Sequence, residues 1–65
     1  MNKYILYWNG SSKPEIVTGK SVSSAFTGAG YSGGALAALD YYAEEKEGSK
    51  DYNLSDEALI EKHRV

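Results

Sequence analysis

Residues 28–33, Gly28-Ala29-Gly30-Tyr31-Ser32-Gly33, spell the pattern G-x-G-x-x-G. That spacing serves pyrophosphate binding, because glycines let backbone N–H groups approach the phosphates at a helix start. The chemistry requires a strand in front of the glycines, a helix behind them and a parallel sheet around both. Here a capped helical pattern comes first. The glycines therefore read as a close corner between two helices, with Gly30 as C-terminal cap and Gly33 and Gly34 allowing the backbones to approach. The alternative function is a small-molecule or anion site for a nucleotide or phosphate, built on Gly30, Tyr31, Ser32 and Gly33.

Catalysis has little to work with. The chain has no cysteine and one histidine, His63. The nearby acids Asp56, Glu57 and Glu61 read as a solvated face, and no serine sits beside a plausible base. The run Glu44-Glu45-Lys46-Glu47 reads as a helix end rather than a carboxylate pair in a pocket. We expect no catalytic residue, no metal site, no cofactor and no enzymatic activity.

Tyrosine is the unusual entry: six of them, at positions 4, 7, 31, 41, 42 and 52. Tyrosine couples a large apolar body to a polar tip and is enriched in interfaces. In helical phase Tyr41 falls with Gly34, Ala37 and Ala38, off the stripe of Leu36 and Leu39. A rigid aromatic on a bed of small residues suits a helix–partner contact, so these four form the predicted partner-binding face. Tyr31 reads as a lid over the helix junction.

A formal charge of -2 and a pI near 5.2 offer no basic field to nucleic acid or an anionic membrane. The corner is similar to a helix-turn-helix in spacing, with Gly30 as turn glycine and Tyr31, Leu36 and Leu39 at apolar positions. Its second helix offers glycine, alanine, Tyr41 and acids where base reading needs Arg, Lys, Asn or Gln. Nucleic-acid binding ranks last. The apolar run 4–8 is too short for a signal segment or a spanning helix, so no membrane partner is expected and the cytoplasm is the predicted location.

The elements that must hold these residues follow from pattern. Sixty-five residues predict one small α+β domain over 1–65, with a core that cysteine cannot staple. Residues 3–8 and 15–18 predict an antiparallel β-hairpin, joined by Asn9-Gly10 alone or by residues 9–13. Alternation puts Tyr4, Leu6 and Trp8 on one face and Ile5 and Tyr7 on the other, so both faces should be covered. Ser21 caps a helix over 21–30 with Val22, Ala25, Phe26 and Ala29 at helical spacing. Ser32 caps a longer helix over 32–47, with Ala35, Leu36, Leu39, Tyr42 and Ala43 as core and Asp40, Glu44 and Glu45 outside.

Residues 51–54 predict a third strand, and Ser55 with Asp56 and Glu57 starts a helix over 56–63. A returning strand over 59–64 is the alternative for the tail. The function these features suggest is a non-enzymatic protein–protein interaction module, its partner another protein or a second copy in a homodimer. Compact acidic chains without cysteine are common among bacterial accessory proteins and phage-borne inhibitors, an analogy of class rather than of motif.

Overall fold

The computed structural model describes residues 1–64. It is a mixed α+β domain: a three-stranded antiparallel sheet with a helix on each face. The strands are β1 (Asn2–Trp8), β2 (Glu15–Gly19) and β3 (Leu39–Glu45), in the order β2-β1-β3. The helices are α1 (Val22–Gly28) and α2 (Asp56–Lys62), with a 3-10 turn over Gly33–Ala38.

β1 is central because it is apolar on both sides. Tyr4 and Leu6 enter one core with Val17, Ala25 and Phe26, and Trp8, Val22, Tyr31, Ala35 and Leu39 close around it. Ile5, from the opposite face, is fully buried, as is Leu59 of α2. Each such side chain contributes roughly 2 kcal/mol when taken from water. The register sets Ile5 opposite Ile16 on one side and Ala43 on the other. The hairpin takes the longer loop: Gly10, at φ 78, lies in a turn closed by Ser11 N–H donating to the Trp8 carbonyl at 3.2 Å.

α1 is capped at both ends as its sequence predicts. The Ser21 hydroxyl accepts from Ser24 N–H at 3.1 Å. At the other end Gly30 adopts φ 91, its N–H donates to the Thr27 carbonyl at 3.0 Å, and Tyr31 N–H donates to the Phe26 carbonyl at 2.9 Å. This is a Schellman cap, completed by the contact of the Tyr31 and Phe26 rings at 5.7 Å. The tail also forms the preferred helix: Ser55 Oγ accepts from Ala58 N–H at 3.2 Å, with Asp56 and Glu57 in the first turn.

Two predicted elements are replaced. The helix over 32–47 is a short 3-10 turn followed by strand β3. Ala35, Leu36, Leu39, Tyr42 and Ala43 fit a helical stripe, but residues 39–45 also alternate with period two, and β1 needs a neighbour on its second edge. Pairing with β1 brings six of these residues into ladder register at once and overrides helix propensity. Leu36 and Tyr42, expected in the core, are exposed, and Glu45, expected outside, is buried. The third strand therefore comes from 39–45 and not from 51–54, where successive turns run instead, with Tyr52 N–H on the Ser49 carbonyl and Leu54 N–H on the Asp51 carbonyl.

Candidate functional site

Three places bring together side chains with chemical potential. The first is the glycine corner. The Tyr31 hydroxyl donates to Glu15 Oε1 at 2.5 Å, and Trp8 Nε1 donates to the same oxygen at 3.3 Å. Donation to that carboxylate holds the Tyr31 hydroxyl above the ordinary tyrosine range, with burial adding to the shift. Tyr31 also lies against Trp8, ring centroids 5.3 Å apart, and so packs over the sheet-and-α1 core rather than over a junction of two helices. Ser32 makes no side-chain cap bond, and Gly33 and Gly34 open a six-residue 3-10 turn rather than a helix. The nearby hollow, lined by Thr27, Tyr31, Ser32 and Leu36, holds about 100 Å³, too little for a nucleotide.

The predicted partner face is divided. Gly34, Ala37 and Ala38 belong to the 3-10 turn, whereas Tyr41 lies in β3. There Tyr41 stacks on Tyr7, directly across the ladder, with centroids 4.3 Å apart and planes 5° from parallel. The helical phase that joined the four does not exist. Among the described residues the Tyr41 hydroxyl is buried without a hydrogen-bond partner, and this desolvation, with the Tyr7 hydroxyl nearby, raises its pKa. Tyr41→Phe is expected to leave stability unchanged or raise it by up to about 1 kcal/mol, because it removes a desolvated hydroxyl and keeps the stack. A urea melt showing a loss of that size would mean the hydroxyl is bonded.

The second place is the contact of β3 with α2. Glu45 Oε1 accepts from Lys62 Nζ at 2.7 Å and lies 3.0 Å from His63 Nε2, while Oε2 accepts from Ser49 Oγ at 2.5 Å. Lys62 also reaches Asp51 at 2.8 Å. The Lys62 ammonium leads, with Ser49 and His63, in holding the Glu45 carboxyl at about 2 against an ordinary 4.5, overcoming the opposing cost of burial. Asp51 first, then Glu45, raises the Lys62 pKa in return. Serine and histidine both meet the carboxylate, not each other, and the one base facing the Ser49 hydroxyl is a carboxylate held at about 2, too weak to activate it. The cluster is a latch. Together with Tyr7 Oη donating to the His63 carbonyl at 3.1 Å, it ties α2 across the sheet. Asp56, Glu57 and Glu61 stay exposed.

The third place is the free edge of β2. Every second residue of an edge strand turns its N–H and C=O outward, unpaired. α1 leans on β2 so closely that a Cβ at Gly19 would stand 2.5 Å from the Ala25 nitrogen. Outside this contact an open groove of about 500 Å³ runs along residues 15–18 and the Ala25, Gly28 and Ala29 side of the helix, with Met1 also lining it. β3 forms the opposite edge, but a bulge at Tyr7/Trp8 and the acids Asp40, Glu44 and Glu45 make it a poor template. β2 has no bulge and one acid, Glu15. Sequence alone predicts the hairpin without the identity of its outer strand; the two-sided apolar pattern of β1 signals cover on both faces of the sheet and does not name the strand on its second edge.

Among the described residues no helix is long and apolar enough to cross a membrane. Protein-family models, curated proteins and solved structures yield no match to this chain.

Proposed function

We propose that this domain is a cytoplasmic, non-enzymatic protein-interaction module that takes up an extended segment along β2. One observation carries the reading: β2 is an unbulged edge strand beside an open groove of about 500 Å³ under α1. Main-chain hydrogen bonds from an added strand supply affinity, and alternate side chains entering the groove supply selectivity. The divided Gly34, Ala37, Ala38 and Tyr41 set offers no comparable continuous surface, and the hollow beside Tyr31 and Ser32 holds only about 100 Å³.

The test is selection of a displayed random decapeptide library on the purified domain, with Thr18→Lys as an edge-blocked control, since a lysine on an edge strand discourages pairing. Thr18 is exposed, so the substitution leaves the core alone. Enrichment on the wild type that is lost on Thr18→Lys, with amide NMR shifts centred on residues 15–19, supports the reading. Enrichment indifferent to the substitution, or shifts confined to β3 and α2, defeats it.

A further inference from the structure

We infer that the occupant of the β2 edge is a single extended segment of another protein, carrying a lysine or arginine two residues from an apolar side chain. This rests on the reading of β2 as a docking edge and adds the chemistry of what docks. A second copy is the first competitor. Antiparallel neighbours lie about 4.8 Å apart, so two β2 strands paired in register across a dyad would crowd the α1 helices packed against them. Helices need about 8–10 Å between axes. Because α1 sits on its own β2, pinned at Gly19 and Ala25, it has no room to step aside. A bare strand brings no helix with it.

The side-chain pattern follows from register. Glu15 and Val17 point to the same face, the α1 side: Glu15 bonds Trp8 and Tyr31 there, and Val17 lies in the core with Ala25 and Phe26. Residues directly opposite in a ladder share a face. An incoming side chain opposite Val17 therefore enters the space beside Ala25, Gly28 and Ala29, a groove that Met1 also lines, where the helix side carries only small residues and a Cβ added at Gly28 would meet nothing within 4 Å. Two residues along, the incoming side chain meets the Glu15 carboxylate. Both Glu15 bonds fall on Oε1, and among the described residues Oε2 makes none. A half-buried carboxylate, fixed by two donors and keeping one oxygen free, complements a cationic side chain.

Two synthetic decapeptides of threonine background test this, one with lysine and valine at positions two apart and one with glutamate in place of the lysine. Anisotropy titrations at low salt should show the lysine peptide binding about ten-fold tighter, a preference that weakens as salt rises and vanishes with Glu15→Gln. Glutamine keeps an acceptor for Tyr31 and Trp8; should that variant unfold, the comparison of peptides on the wild type decides alone. Equal binding of the two peptides, with shifts still centred on β2, overturns the charge assignment and leaves the docking edge standing. Failure of both peptides and of every library member to shift β2 overturns both.

Discussion

Gly19→Ala is expected to lower the melting temperature by roughly 10–20 °C. A Cβ at Gly19 would lie 2.5 Å from the nitrogen, 2.7 Å from the Cα and 2.9 Å from the Cβ of Ala25. Two of those three are backbone atoms at the centre of a capped helix and cannot swing away. Relief requires α1 to lift from β2, which opens the core at Val17 and Phe26. Overpacking of this kind costs about 3 kcal/mol, a large share of the ~3–5 kcal/mol available to a domain this small. The control is Gly28→Ala on the same helix. Nothing lies within 4 Å of the added methyl, and Gly28 has no positive φ. That substitution should raise stability by about 0.5–1 kcal/mol, as alanine replaces a helical glycine. Thermal melts followed by circular dichroism read both, and equal effects of the two substitutions would contradict the close approach.

Glu45→Ala should cost about 3 kcal/mol at pH 7, the difference between a carboxyl titrating at about 2 in the folded chain and near 4.5 when free. The sign is that of a depressed acid. The unfolded chain takes up the proton first, so the contribution is complete above about pH 5 and disappears as pH falls from 4.5 toward 2. Denaturant titrations at pH 7 and pH 3 should show the wild type losing more stability than the variant on acidification. Parallel acid limbs would mean that Glu45 is not the latch. The loss is large because removing one member leaves Lys62 half exposed on Asp51 alone and His63 without its carboxylate.

Much of the scaffold was legible in local chemistry. Ser21, Ser55, Gly10 and Gly30 each predict the cap or turn they form, because caps and positive-φ turns are decided within a few residues. The alternation of Tyr4, Leu6 and Trp8 against Ile5 and Tyr7 predicts a strand covered on both faces, and the sheet bears it out. Residues 39–45 were not legible in the same way. Alanine, leucine and glutamate favour a helix locally, and only the demand of β1 for a second partner makes them a strand. The consequences spread from that one exchange. Tyr41 leaves the small-residue face for a stack on Tyr7, and Glu45 turns inward to meet α2. The groove was invisible for a related reason: residues 15–18 and Ala25, Gly28 and Ala29 are separated in sequence and meet only because α1 folds back over its own strand.

The role of β2 is tested most directly by amide hydrogen exchange, residue by residue, on the free domain and on the domain with a library-selected peptide. In the free domain the outward amides of β2 should exchange quickly while those of β1, paired on both sides, are slow. On peptide addition the outward β2 amides should slow by at least about ten-fold, with β3 and α2 unchanged. Protection of those β2 amides in the dilute free domain, or protection that appears on β3 or α2 instead, would contradict the account.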